Sequence, residues 1–398
     1  MTAPLIYIIA GEASGDALGG RLIHALKSRS NSPVEFAGIG GETMTAQGFE
    51  SLFPMEELSV MGLLEVLPRL PNILKRLKQT EHDIRTRQPS VIITIDSPGF
   101  TYRLASKLQD VGIPLVHYVA PSVWAWRPKR AEKTAALYDH LLTLFPFEPP
   151  YFTEHGMDAR FVGHPALENS GPKPDGQGFR VMQGIDPDAP VLCVLPGSRA
   201  SEVGRLMPLF GQAARRIEAQ TPNLRIVVPT LASLAPRMQA AIRSWPGRPI
   251  VVSGETHRAE AFAASNVALA ASGTVTLELA NAQVPMVVGY SVNPLTAAIA
   301  RRMIKISYVS LINITLNLPA IPEFIQENCR PDTLATAVLT LLTDQKARQT
   351  QHDLCQRAIV SLVPRGLKPS QAAADAVLDI MGPPADSDLG SDRPTRKI

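Results

Sequence analysis

The sequence predicts an α/β protein built from two doubly wound domains, and three observations carry that expectation. Residues 5–9 (LIYII) form an apolar run that breaks at Gly11 and Gly15 into a helical pattern with Leu18, Leu22 and Leu26 on one face, which reads as strand, glycine turn and helix. The same succession recurs at residues 191–199 (VLCVLPGSR). Between them, residues 168–178 (ENSGPKPDGQG) shift to Pro, Gly and polar residues, the composition of an interdomain hinge. At 398 residues the chain is long enough for each domain to bury its own core. The division places a first domain at 1–167, completed by a C-terminal helix at about 350–381, a second at 168–349, and a polar, Pro-rich tail expected to be disordered at 382–398.

Composition narrows the class. With 45% hydrophobic and 19% charged residues the chain is neither disordered nor fibrous, and a net charge of +3 is too small for a nucleic-acid footprint. The three cysteines (Cys193, Cys329, Cys355) are far apart and lack C-x-x-C spacing, so they read as buried thiols of a reducing compartment. No stretch approaches the roughly 20 apolar residues that span a bilayer, and the N-terminus lacks a secretory pattern, which predicts a cytoplasmic protein.

Along the first half, the turn at residues 11–16 (GEASGD) opens the first helix at the carboxyl end of a strand. Its glycine spacing is neither a P-loop nor a dinucleotide fingerprint, and taken alone it is an ordinary βα turn. Residues 34–39 form a second strand ending in Gly40-Gly41. Residues 58–78 (LSVMGLLEVLPRLPNILKRLK) mix many apolar side chains with cations, and Pro68 and Pro71 argue against one continuous helix. The segment suits either an interfacial helix on anionic lipid or a helix pair packed on the sheet. Residues 90–95 (SVIITI) are a β-branched central strand ending in Asp96, a candidate general base at the crevice edge or, alternatively, a turn or helix-capping aspartate. A strand at 114–119 runs into APSVWAWRPKR, where Trp124 and Trp126 are either a stacking wall beside cations or core anchors. Strands at 141–144 and 160–163 complete this half.

In the second half, the turn at 196–199 places Arg199 where a diphosphate contact would sit, followed by a helix whose start Pro208 marks. Strands are expected at 223–229, 249–253, 267–270 and 285–290. After the third of these, Ser272, Gly273 and Thr274 can offer donors to phosphate, and Glu278, one helical turn on, can accept ribose hydroxyls. Arg301, Arg302 and Lys305 add positive charge, and residues 308–317 carry Asn313 ahead of Gln326 at a helix start. The D-x-D at Asp186 and Asp188 lies in a Pro-containing turn before a strand, and no metal site is indicated.

Taken in order, GEASGD, MEELSVMGLLEVL (55–67), IDSPGF (95–100), HYVAPSVWAWRPKR (117–130), LPGSR with Glu202, ASGTVTLE, PMVVGY, and YVSL with Asn313 closely resemble the lipid-A-disaccharide synthases, inverting glycosyltransferases of the GT-B type. The resemblance implies two Rossmann-like domains facing a cleft. It implies transfer of a diacylglucosamine from UDP-2,3-diacylglucosamine to the 6-hydroxyl of 2,3-diacylglucosamine 1-phosphate (lipid X), with no metal or other cofactor. It assigns the base to Asp96 and the donor pocket to Arg199, Ser272, Gly273, Thr274, Glu278, Asn313 and Gln326. The acceptor side would hold Gly11, Glu12, Ser14, Asp16, Ser122, Trp124, Trp126 and Arg127. A membrane patch would comprise Leu63, Leu64, Val66, Leu67, Leu70, Ile73 and Leu74, docking the protein peripherally on the anionic inner membrane; a homodimer is compatible with the sequence. The family often carries an acid where this chain has Gly99, leaving Asp96 the only carboxylate of that motif. The rival readings are another UDP-sugar enzyme of the same fold, such as an epimerase, and a non-catalytic nucleotide or lipid carrier.

Overall fold

The computed structural model describes residues 3–58, 63–168, 173–293, 297 and 306–382, with the backbone alone for 63–69. Twelve strands form two six-stranded, all-parallel sheets. The first contains β1 (Leu5–Ala10), β2 (Glu35–Ile39), β3 (Val91–Ile95), β4 (Leu115–Tyr118), β5 (His140–Thr143) and β6 (Asp158–Phe161), in the order β2-β1-β3-β4-β5-β6. The second contains β7 (Val191–Leu195), β8 (Arg225–Thr230), β9 (Ile250–Ser253), β10 (Val267–Ala270), β11 (Met286–Tyr290) and β12 (Glu323–Ile325), in the order β12-β11-β10-β7-β8-β9. Both are doubly wound. Strand order reverses between β1 and β3 in one sheet and between β7 and β10 in the other, and at such a reversal the connecting helices leave on opposite faces and open a crevice at the carboxyl ends.

Parallel strands covered on both faces need continuous apolar sequence, and β1, β3 and β7 supply it: Ile6, Tyr7, Ile8 and Ile9, then Ile92 and Ile93, then Leu192 to Val194 are fully buried. The chain divides into two compact units, one comprising residues up to Val123, Pro128–Pro165 and the chain from Pro364, the other Trp124–Arg127 and Ala166–Val363. In the first unit the helix Pro369–Met381 packs on the helix Ala13–Arg29, where Arg29 forms a two-pronged ion pair with Asp375. The helix Gln345–Ser361 belongs to the second unit. Residues 383–398, expected to be a disordered tail, lie outside the described residues, as do 169–172 of the expected hinge.

Four local expectations are corrected. Residues 63–87 form one helix despite Pro68 and Pro71. Each proline removes one backbone donor, but both fall in the first third of the helix. The turns beyond them are anchored by buried Leu77, Thr80 and Ile84 and by the Tyr7 hydroxyl donating to Asp83 Oδ2 at 2.9 Å. Pro208 lies inside the helix Ala200–Glu218 rather than at its start, because buried Val203, Leu206, Met207 and Phe210 carry the helix through it. Gly176 and Gly178, read as hinge, open the helix Gly176–Met182, where the Asp175 carboxylate caps the Gly178 N–H at 2.8 Å. Residues 323–325, for which no strand was expected, form β12, with Glu323, Phe324 and Ile325 in register against Val288, Gly289 and Tyr290; the helix start expected at Gln326 is a 3-10 turn, Gln326–Asn328.

Asp16 faces inward. It is 4% exposed, and its carboxylate accepts the N–H groups of Gly41 (2.7 Å), Thr43 (2.8 Å) and Met44 (3.1 Å), tying the first helix to the loop after β2. Asp16→Ala would leave the buried Met44 N–H and the part-buried bonds of Gly41 and Thr43 without their acceptor, so a loss of about 1–3 kcal/mol in unfolding free energy is expected, read from the denaturant midpoint at unchanged slope.

Candidate active site

In the first unit the site is built at the paired ends of β1 and β3. Gly11 leaves β1 so close to the next loop that a methyl group on it would lie 2.5 Å from Ser97 Oγ. Asp96 and Ser97 both adopt left-handed backbone (φ 47° and 49°), turning the chain sharply out of β3. That turn is held locally. The Asp96 N–H donates to the Tyr118 carbonyl at 3.0 Å, and the Thr101 hydroxyl donates to the carbonyls of Asp96 (2.9 Å) and Ser97 (3.0 Å). Ser97 occupies the cap position of the helix Pro98–Lys107, so Asp96 is not its cap. Burial raises the Asp96 carboxyl above the usual carboxylate range, and the Ser97 backbone N–H partly offsets this. Gly99 borders open space, with nothing within 4 Å of where a side chain would begin.

Beside this turn, Val119 leaves β4 at φ 83°, a conformation that costs a β-branched residue dearly, while its N–H donates to Leu142 O at 3.0 Å. Three non-glycine residues with left-handed backbone thus sit at two neighbouring strand ends. A buried polar layer backs them. Thr94 Oγ1 lies 2.7 Å from His117 Nδ1, His117 stacks on Tyr138 with centroids 4.7 Å apart, and Tyr102 meets both rings edge-on. Burial pushes the His117 imidazole down to about 3, so the ring is neutral. Sequence reasoning missed this layer, although the T-x-D and H-Y-V spacings at the two strand ends were its only trace.

The remaining expected acceptor residues are distributed unevenly. Glu12 caps the first helix with its backbone half-buried at the end of β1, and Ser14 is exposed on the first turn. Asp16 is buried and its carboxylate is taken up by the backbone of the loop after β2, as described, rather than exposed as the acceptor-side reading expected. Past β4, Ser122 is exposed, Trp124 is half-buried, and the exposed Trp126 carries the Arg127 guanidinium 4.1 Å above its ring. These tryptophans are therefore surface groups rather than core anchors. The side chains of Leu63, Leu64, Val66 and Leu67 lie outside the described residues; Leu70 and Ile73 are half-buried and Leu74 is exposed beside Lys75 and Lys78.

In the second unit the ends of β7 and β10 adjoin, with the Ala271 N–H donating to Leu195 O at 2.7 Å. Arg199 is the exposed cap residue of the helix Ala200–Glu218, and its guanidinium meets Glu202 at 3.2 Å. Across the strand junction, Gly273 at φ 153° takes a conformation suited to glycine and borders open space. Thr274 is exposed, and Glu278, one turn on, pairs with Arg258 at 3.1 Å. Ser272 departs from expectation: its hydroxyl donates to Val309 O at 2.7 Å, so its proton is committed to the protein.

Asn313 and Gln326 are likewise engaged within the protein. Asn313 is 1% exposed; Oδ1 accepts Ile321 N–H at 2.8 Å, and Nδ2 donates to Ile321 O and Glu323 Oε1, both at 2.8 Å. The half-buried Gln326 amide, oriented so that donor meets acceptor, pairs with Val292 N (3.1 Å) and Val292 O (3.3 Å). Both amides brace backbone. Arg301, Arg302 and Lys305 lie outside the described residues. Among the described residues no group of three or more His, Cys, Asp or Glu is placed to hold a metal ion, and the Asp186 carboxylate closes its own turn on the Asp188 N–H at 2.9 Å.

Comparison with known proteins agrees with this architecture. The family model for lipid-A-disaccharide synthetase matches residues 6–377. The chain is 50% identical over 379 residues to the lipid-A-disaccharide synthase of Rhodospirillum centenum (95% of this chain, 94% of the relative), and 49% identical over 381 residues to that of Paramagnetospirillum magneticum (95% and 97%). Among solved structures it superposes on a kitacinnamycin glycotransferase (TM-score 0.65, 15% identity, 95% and 99% covered) and on Acinetobacter baumannii MurG (TM-score 0.57, 15% identity, 94% and 99% covered). It also superposes on the UDP-GlcNAc 2-epimerase of Neisseria meningitidis (TM-score 0.63, 9% identity, 94% and 98% covered). The chain belongs to the lipid-A-disaccharide synthetase family and has the two-domain GT-B glycosyltransferase fold.

The strain at Val119 is measurable. Val119→Gly relieves a cost of about 1–3 kcal/mol at the price of glycine's entropy, about 0.5–1 kcal/mol, so thermal unfolding should move upward by the equivalent of about 1 kcal/mol.

Proposed function

We propose that this chain transfers 2,3-diacylglucosamine from UDP-2,3-diacylglucosamine to the 6-hydroxyl of 2,3-diacylglucosamine 1-phosphate, releasing UDP, with Asp96 as general base. One observation supports the reading above others. In each sheet the motif residues stand at the carboxyl ends of the two strands between which the order reverses: Gly11 and Asp96 on β1 and β3, Arg199 and residues 272–274 on β7 and β10. In the proposed reaction the acceptor oxygen forms its bond to the anomeric carbon on the face opposite the leaving group, the bond to UDP breaks with its electron pair staying on phosphate, and the hydroxyl proton passes to Asp96. A base is needed because the attacking oxygen becomes strongly acidic as the bond forms. Asp96 fits: it is half-buried, and burial makes its carboxylate more basic than an ordinary one.

The departing diphosphate needs positive charge and donors fixed in place before the reaction. Arg199, the backbone N–H groups around Gly273 and the Thr274 hydroxyl are the groups we assign to it, with Glu278 accepting the ribose hydroxyls; on this reading no metal is required. The tryptophan-arginine pair at 126–127 offers a flat apolar face beside a cation, suited to the acceptor's sugar and phosphate. No described helix is long and apolar enough to cross a membrane. Access to acylated substrates is assigned to the first two thirds of the helix Leu63–Arg87, where exposed Leu74 adjoins Lys75 and Lys78 in a peripheral contact with anionic lipid.

Two experiments test this. Asp96→Asn should retain UDP binding and lose turnover by about 100-fold or more. Because burial raises the folded pKa, the wild-type fold holds its Asp96 proton more tightly than the unfolded chain; the related stability is present in acid and lost as pH rises through the folded pKa. The variant should therefore melt no lower than wild type at neutral pH, and wild-type kcat/KM should fall on an acid limb above the usual carboxylate range. Unchanged turnover in the variant would leave the carrier reading standing. Separately, Leu74→Glu should weaken co-sedimentation with vesicles containing anionic phospholipid by about tenfold, with UDP affinity unaltered.

A further inference from the structure

We propose that Glu323 is a positioning residue for the donor-side turn at residues 272–274, acting through the peptide group that joins Val309 to Ser310. The proposal rests on the donor-site reading above for its functional consequence, although the brace itself is independent of it.

The geometry is a relay. Glu323 stands at the start of the edge strand β12, and its Oε1 accepts the Ser310 N–H at 2.7 Å while Oε2 accepts the Val309 N–H at 2.9 Å. The carbonyl of Val309, on the opposite side of the same peptide unit as the Ser310 N–H, accepts the Ser272 hydroxyl at 2.7 Å. One peptide group is thereby held at both ends, by a carboxylate at its N–H and by Ser272 at its C=O. A charged acceptor on the N–H polarises the amide and strengthens its carbonyl as an acceptor, so the two bonds reinforce each other.

Asn313 completes the brace. Its Nδ2 donates to Glu323 Oε1 at 2.8 Å, its own N–H donates to Ser310 Oγ at 3.3 Å, and its amide oxygen takes the Ile321 N–H. The turn that receives this support is held on its helix side by the Thr276 N–H and hydroxyl, which donate to the Gly273 carbonyl at 3.1 and 2.8 Å, and Ser272 ties its other end to Val309. Gly273 takes a positive φ with open space where a side chain would begin, and Thr274 is exposed. With the Ser272 proton already donated to Val309 O, what this turn presents to an anion is its backbone N–H groups, whose direction depends on where Ser272 is fixed. Glu323 thus orients the donor turn without touching the ligand, and Asn313 serves the same end.

The test uses the full chain with Glu323→Gln, Ser272→Ala and the double variant, UDP as the calorimetric probe, and backbone amide exchange in the ligand-free protein. Glu323→Gln keeps the side chain's shape but loses the charge and one acceptor. It should speed exchange at 272–276 and weaken UDP binding about tenfold in Kd. Ser272→Ala should speed exchange at Ser310 from the other end. The double variant should bind UDP within about twofold of Ser272→Ala, because groups in one chain of hydrogen bonds are not additive. Glu323→Gln with unchanged exchange at 272–276, or two effects that multiply, would overturn the proposal. If Glu323→Gln fails to fold, Ser272→Ala decides alone, since unchanged exchange at Ser310 would also overturn it. Wild-type protein that does not bind UDP, while exchange at 272–276 still rises in Glu323→Gln, would remove the donor reading and leave the brace in place.

Discussion

A parallel sheet wound in both directions from one strand is the constraint on which the rest of this protein depends. All strands end at one edge, and where the order reverses the helices part and leave the strand ends uncovered. The chain uses this edge twice. Short loops, not long insertions, then carry the chemistry, so each reactive side chain lies within a few residues of a buried strand. That is why the Asp96 loop is positioned by the same hydrogen-bond ladder that pairs β3 with β4, through its own N–H on the Tyr118 carbonyl.

The two edges solve opposite electrostatic problems. A base must keep its lone pair available, and a guanidinium beside it would pull its pKa down; the forces acting on Asp96 are burial and one backbone N–H, both short-range. The left-handed backbone at Asp96, Ser97 and Val119 places strain next to this carboxylate, with the Thr94, His117 and Tyr138 layer behind it fixing β3 against β4. A neutral His117 is suited to that task, since a charged imidazole at that depth would lower the pKa of nearby acids and cost desolvation.

The central strands were legible because burial on both faces demands β-branched, apolar runs, and residues 91–95 or 191–195 have no other plausible use. The edge strand β12 was not, since three residues between Pro322 and a 3-10 turn carry no periodicity, and pairing with β11 alone defines it. The helix through Pro68 and Pro71 shows the converse: local chemistry argued for a break, and burial of residues a turn or more beyond overrode it. Among site residues, Asp96, Arg199 and Gly273 were legible from their place after a strand. Asn313, Gln326 and Asp16 were legible only as polar residues in motifs, because an amide or carboxylate that grips backbone and one that grips a ligand look alike until the partner is known. Those partners lie 8 residues away for Asn313 and 25 to 28 for Asp16. Glu323 was invisible for the same reason.

The donor-side ion pairs differ from these braces in exposure, and the difference has a consequence. Arg199 is open to solvent in its pair with Glu202, whereas Arg258 and Glu278 are both half-buried. An exposed pair is worth about 0–1 kcal/mol, so a diphosphate that competes for Arg199 would displace little. The Glu323 and Asn313 bonds are to backbone, are partly or fully buried, and cost more to break. On the proposed donor reading, the charged side chains exchange partners with the ligand while the peptide framework stays fixed. On that reading selectivity for an anionic, hydroxylated donor resides in the framework's direction, and exposed Arg199 contributes chiefly to attraction and charge balance.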